Sequence, residues 1–213
     1  MPNYCDNTLI VQGDLDQLTD FKKKVLKVTP AKELEFTMQT LYPTPEELLQ
    51  EVSPQMFRGD KDDEKQKEEW QNRINELQEK YGYSDWYYWR TANWGTKWDA
   101  CSTFYVDEDN GESLTIGYST AWSPNVEWIR YISPMYPNLK FLLLYEEGGA
   151  FFCGRYECIN GLELCDEQGE PMNVDDDGRE VYYDLELDKY RYKDDDTLID
   201  DEDFFPQLSN IFK

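Results

Sequence analysis

Between Tyr83 and Ala100 the chain reads YSDWYYWRTANWGTKWDA, which places Trp86, Trp89, Trp94 and Trp98 within eighteen residues. Indole faces are stacking platforms for bases or sugars, worth about 1 to 3 kcal/mol per stacked base. Asn93, Thr96, Lys97 and Asp99 add small or charged polar groups at the same place, and Trp122 with Ser123 are candidates to complete a shallow cleft. The same residues also have a purely structural reading. Trp86 and Trp89 stand at i and i+3 on a helix and are expected to face a core. Trp94 and Trp98 would close over a sheet, and Asn93 and Thr96 would satisfy the backbone at a helix end.

Two other constellations have residue types that could do chemistry. Asn173-Val174-Asp175-Asp176-Asp177-Gly178, followed by Asp184, puts oxygen ligands at loop positions 1, 3 and 5, glycine at 6 and an acid at 12, the register of a helix–loop–helix calcium site. Against that, position 8 is Glu180 where an apolar residue belongs, and Tyr182 to Tyr192 alternates like a strand, so DDDG also reads as a hairpin turn. Catalysis has thinner support. The chain has no histidine, which removes the commonest general base and the usual triads. Carboxylates such as Glu146, Glu147 and Asp99 are present, but nothing sets two of them at a defined separation across a cleft. Cys101 and Cys153 fall in strand patterns. No residue is assigned a catalytic role, an enzyme is the less favoured reading, and no cofactor is expected.

Electrostatics narrows the partners. Twenty-one Lys and Arg face 45 Asp and Glu, a net charge of −24, so direct binding to nucleic-acid phosphates is disfavoured and a basic partner is favoured. The segment from Asp166 to Lys213 holds 17 of the acids and 5 of the bases, with Asp194, Asp195, Asp196, Asp200, Asp201, Glu202 and Asp203 as its densest acidic surface. One expected role is therefore an acidic binding protein that occupies a basic, nucleic-acid-binding host or defence factor by imitating DNA phosphates. The alternatives are an adaptor or small-ligand binder using the Trp-rich block, or an enzyme of unknown reaction. Five cysteines, without CxxC spacing and without an apolar leader, predict a cytoplasmic protein. The longest apolar run, Phe141 to Tyr145, is too short to span a membrane. Oligomeric state is not written in the chain.

The elements that must position these residues are legible from patterning. Asn7 to Val11 predicts a strand, and Asp14 with Gln17 caps a helix bearing Leu18, Phe21 and Val25. Leu34, Phe36 and Met38 predict a short extended segment, and Thr44-Pro45-Glu46-Glu47 predicts a capped helix start. Asp60 to Tyr81 predicts a helix with Trp70, Ile74, Leu77 and Tyr81 on one stripe and Gly82 as its stop. Ser84-Asp85 caps another that ends at Gly95. Cys101 to Val106 and Leu114-Ile116-Tyr118 predict a hairpin, Ser123-Pro124 caps a helix carrying Val126, Ile129 and Ile132, and Leu139 to Glu146 predicts a strand covered on both faces. Later Gly-containing turns separate short strands, expected to extend the same sheet or lie beside it. Ile199 to Phe212, with Phe204, Phe205, Leu208, Ile211 and Phe212, predicts a short amphipathic helix. The fold class is thus α+β: a ferredoxin-like split βαβ core at 1–165 with a helical insertion at about 41–97, then a β-rich acidic extension at 166–213.

The opening MPNYCDNTLIVQG, the block SDWYYWRTANWGTKWDA and the later STAWSPNVEW and YPNLKFLLLYEEGG resemble the YubB/Api-type ferredoxin-like family of phage and plasmid proteins, over roughly Met1 to Gly154. The resemblance implies a fold and a mobile-element setting. It brings no reaction and no catalytic residues, and the name concerns topology alone, since no iron–sulfur ligand spacing is present.

Overall fold

The computed structural model describes residues 3–53, 56–60, 62–109, 111–169, 172–174, 179–184, 189–199 and 207–209. Strand β1 (Tyr4–Gly13) alternates strictly and sends Cys5, Asn7, Leu9 and Val11 to the buried side. The N-cap Asp14 accepts the Gln17 N–H at 3.0 Å and starts α1 (Leu15–Val25), whose Leu18, Phe21 and Val25 are buried as the spacing predicts. A small antiparallel pair follows, β2 (Leu26–Val28) with β3 (Leu34–Phe36). Three helices come next: α2 (Glu46–Leu49), α3 (Glu64–Tyr81) and α4 (Trp86–Trp94). The Asp63 side chain caps α3, which buries Ile74 and Leu77 and ends on Gly82 at φ +77°.

The hairpin of β4 (Ser102–Asp109) and β5 (Ser113–Ala121) leads to α5 (Val126–Ile132), one turn of 3₁₀ helix at Ser133–Met135 and then β6 (Leu139–Glu147). With β7 (Phe152–Ile159) and β8 (Leu162–Gly169), these strands form one antiparallel sheet in the order β4-β5-β1-β6-β7-β8. The first four positions of that order are the split βαβ arrangement: each of the crossovers through α1 and α5 skips one strand of the sheet. Both helices cover one face, where Leu18, Phe21, Trp128, Ile129 and Ile132 join Leu9, Ile116, Phe141 and Leu143 in the core. The later strands β7 and β8 extend this sheet. Beyond them the described residues form only small pairs: β9 (Met172–Val174) with β12 (Gln207–Ser209), and β10 (Val181–Asp184) with β11 (Lys189–Tyr192).

Four local expectations are corrected. Thr44 does not cap α2; Pro45 holds the cap position without a side-chain bond, while the Thr44 hydroxyl accepts from Arg90 Nε and donates to Gln39 Oε1. Asn125, not Ser123, is the N-cap of α5, because the Ser123 hydroxyl is spent on the Gly95 carbonyl. Strand β6 is not covered on both faces: Leu142 and Leu144 remain half-buried on the side away from the helices. Within the predicted C-terminal helix, Gln207–Ser209 is a strand paired with Met172–Val174, and Phe204, Phe205, Ile211 and Phe212 lie outside the described residues.

Candidate functional site

Helix α4 divides the tryptophan-rich block between core and surface. Asp85, fully buried, accepts the N–H groups of Tyr87 and Tyr88 on one carboxylate oxygen and so fixes the helix start. Trp89 and Trp94 then turn inward, with the Trp94 indole N–H donating to the Tyr42 carbonyl at 2.9 Å. Asn93 accepts from the Tyr42 hydroxyl and donates to the Trp89 carbonyl. Trp86 and Tyr87 are half-buried beside the exposed Tyr88.

The chain leaves α4 at Gly95, φ +83°, where an added Cβ would stand 2.8 Å from the Pro124 carbonyl oxygen. Only glycine accommodates both the left-handed backbone and that approach. Thr96 donates to the Ala121 carbonyl at 2.9 Å and Ser123 donates to the Gly95 carbonyl at 2.6 Å. These two bonds pin the Gly95–Thr96 corner to the turn that follows β5. Trp122 occupies that turn at φ +71°, a conformation that costs a non-glycine residue of order 1 to 3 kcal/mol. Its backbone N–H donates to the Asn3 carbonyl, and the residue is 43% exposed.

The outcome is a groove of about 540 Å³ lined by Ser53, Trp86, Tyr87, Tyr88, Lys97, Trp98 and Trp122. Within it the Lys97 ammonium lies 4.3 Å from the Trp98 ring centroid and 4.4 Å from that of Trp122, between two π faces. No carboxylate among the described residues lies within ion-pair distance of Lys97. Behind the groove, the Arg90 guanidinium stacks on Trp86 at 5.4 Å and on Trp94 at 4.7 Å. Burial pulls its pKa below the usual arginine value, and nearby Asp99 opposes the shift.

Of the residues singled out in the sequence, Trp86, Lys97, Trp98 and Trp122 come together in the groove. Trp89, Asn93, Trp94, Thr96 and Ser123 form its frame. Asp99 is structural too: it accepts the Met38 N–H at 2.8 Å, the Ala100 N–H at 3.0 Å and the Thr37 hydroxyl at 2.6 Å. Ser53, Tyr87, Tyr88 and Arg90 were missed. The WYYW run was a usable signal for the two tyrosines, whereas Ser53 comes from a distant loop with no signal of its own.

In the acidic segment, Arg179 holds Asp194 at 2.8 Å and Asp195 at 3.2 Å, and the Asp196 backbone closes a turn onto Tyr192. Asp200, Asp201, Glu202 and Asp203 lie outside the described residues. Asn173 sits in β9 and Asp184 ends β10, so strands stand where a calcium loop needs helices, and Asp175 and Asp177 lie outside the described residues. Among the described residues no group of three or more His, Cys, Asp and Glu is placed to hold a metal. Among them, too, no helix is long and apolar enough to cross a membrane. Burial raises the thiol pKa of Cys5 and of Cys101, with Asp6 and Asp99 respectively adding to it, the reverse of an activated thiol.

A family model described as "Ferredoxin-like domain in Api92-like protein" matches residues 93–208, more than half of the chain. The match includes the Lys97–Trp98 and Trp122 walls of the groove and runs on into the acidic extension, which the sequence resemblance had left out. A crystal structure of protein api92 from Yersinia pseudotuberculosis is similar at 10% identity with a TM-score of 0.46, covering 80% of this chain and 98% of that one. None of the curated proteins searched matches the chain.

Proposed function

Because the chain belongs to the family of Api92-like proteins with a ferredoxin-like domain, whose description carries a fold and no reaction, we propose a binding function seated at the aromatic groove. The reading is that an acidic protein draws in a basic protein partner and holds it on Trp86, Trp98 and Trp122. One observation carries it: a preformed, half-exposed aromatic groove whose walls are fixed by Thr96, Ser123 and Gly95 and whose Trp122 is kept in a left-handed conformation. Backbone strain clusters at ligand clamps and switch regions, and tryptophan is enriched among the residues that carry binding energy. A charge of −24 speeds encounter with a basic surface, and the aromatic walls supply short-range specificity.

A nucleic-acid-binding protein is the partner class we favour, with the acidic surface standing in for phosphate. Arg179 neutralises part of the row at Asp194 and Asp195, so aromatic contacts, not rows of carboxylates, are the stronger support. The test is affinity capture from host lysate with the full chain and with Trp98→Ala and Trp122→Ala variants, each at low and high salt and with added duplex DNA. A single basic partner held by the wild type, lost from both variants and displaced by DNA is the expected result. Equal capture by all three proteins would remove the groove from the function.

A further inference from the structure

We infer that the space between the Trp98 and Trp122 rings is a recognition slot for a cationic group, an arginine or methylated-lysine side chain of the partner, and that Lys97 is an internal stand-in which the partner's cation displaces. The inference rests on the groove being the binding surface. It goes further by naming the chemistry of the group that enters and the residue that must leave.

The argument begins with what already occupies the slot. An ammonium between two indole faces, at 4.3 and 4.4 Å from their centroids, is the arrangement by which aromatic cages hold cations, because each ring presents its negative quadrupole to the charge. Many other cations among the described residues are paired with acids: Lys24 with Asp20, Lys80 with Glu47, Lys140 with Glu157, and Arg130 with Glu127. Among the described residues Lys97 has no such tie and is held by the two rings, so within them it can swing to water without breaking an ion pair. The backbone that carries the rings stays in place. At Trp122 it is held by the bond of its N–H to the Asn3 carbonyl, and next to Trp98 by the bonds of Thr96, Ser123 and Asp99.

Charge decides between a cation and an anion as the incoming group. Lys97 taken alone would suit an anion. An anion entering the slot, however, would meet two π faces of the wrong sign, with Trp86, Tyr87 and Tyr88 around it, on a molecule of net charge −24. A guanidinium or quaternary ammonium meets the right sign at both ranges. It also loses less hydration than the primary ammonium of Lys97, so exchange runs in its favour.

Tetramethylammonium is the probe, with tert-butanol as an uncharged control of similar size, followed through the indole N–H signals of uniformly ¹⁵N-labelled full-length protein. Three proteins are compared: wild type, Lys97→Ala, which empties the slot, and Lys97→Met, which removes the charge but leaves a side chain of similar length in place. The expected result is saturable shifts of the Trp98 and Trp122 signals by tetramethylammonium, roughly fivefold tighter in Lys97→Ala than in wild type, from the cation–π contacts no longer contested. Lys97→Met loses the contesting charge but keeps a side chain in the slot, so its gain is smaller than that of Lys97→Ala, and tert-butanol causes no comparable shift. Equal gains in the two variants would reduce Lys97 to a charge effect and overturn the inference. So would no gain in Lys97→Ala, or equal binding of tert-butanol. Because the probe is a small ion, these results are independent of whether capture experiments find a partner at the groove.

Discussion

Asp99 looked like a cleft residue in the sequence and is a tie between segments in the fold, which makes its replacement a sharp test. Its carboxylate accepts from Met38 N–H, Ala100 N–H and the Thr37 hydroxyl, and Met38 and Thr37 are themselves buried. Hydrogen bonds to a charged group contribute about 1.5 to 3 kcal/mol each, but the three share one acceptor group and the Ala100 N–H can turn to water. Counting mainly the two buried donors left without a partner, Asp99→Ala is expected to cost about 3 kcal/mol. For a chain of this size about 1 kcal/mol lowers Tm by roughly 2 to 4 °C, so Tm should fall by roughly 6 to 12 °C. Asp99→Asn keeps a carbonyl for Met38 and an amide that the Thr37 hydroxyl can accept from, and should cost about 1 kcal/mol. Urea unfolding followed by far-UV circular dichroism, with thermal melts in parallel, measures both. If Asp99→Ala unfolds within about 0.5 kcal/mol of wild type yet loses partner binding, the reasoning fails and Asp99 is a contact residue after all.

Asp85→Ala removes the α4 cap at a fully buried position and is expected to lower unfolding free energy by about 1 to 2 kcal/mol in the same urea titration, with Asp85→Asn recovering most of it. Gly95→Ala should destabilise by about 1 to 3 kcal/mol and also shift tryptophan emission, since the new Cβ meets the Pro124 carbonyl and moves the corner carrying Lys97 and Trp98; unchanged emission would separate the corner from the groove. Burial, with Asp166 adding to it, raises the Tyr145 hydroxyl to about 12 from its ordinary 10.0. The unfolded chain therefore releases this proton first, so the contribution is intact below pH 10 and stability falls as pH rises from there towards 12. Absorbance of phenolate against pH, compared between wild type and Tyr145→Phe, reads the late titration and the flatter alkaline stability of the variant.

Periodicity carried most of the sheet and its helices. The spacing of Leu18, Phe21 and Val25, the alternation of Leu114, Ile116 and Tyr118, and the aspartates that start α1 and α4 each appear in the structure where the pattern puts them, because they express local rules. What failed was competition for hydroxyl groups. Thr44 and Ser123 have the right type and place to cap helices, but Arg90 and the Gly95 carbonyl claim them across long sequence distances, and Gln39, five residues away, takes the Thr44 proton. Strand β6 misled for a different reason: a run of leucines resembles a doubly covered strand even when Leu142 and Leu144 face a side without helices. Half the groove was legible as the tryptophan block. That Trp122, twenty-four residues after Trp98, supplies the opposite wall depends on how the β4–β5 hairpin returns, which no local pattern records.

The register of β1 has a consequence for how the molecule is made. Tyr4 lies opposite Ala121 and Asp6 opposite Glu146, so the strand at the middle of the sheet finds its two neighbours more than a hundred residues later. During synthesis the segments of α1, α3 and α4 can leave the ribosome and coil locally, while Leu9, Ile10 and Val11 wait with both edges open. Closure must come late, when the β4–β5 hairpin docks on one edge and β6 on the other. A nascent chain that has exposed residues up to 121 but not yet 139 outside the ribosome would hold β1 paired on one side and bare on the other. That intermediate is the point in the life of this protein where a chaperone has the most to cover.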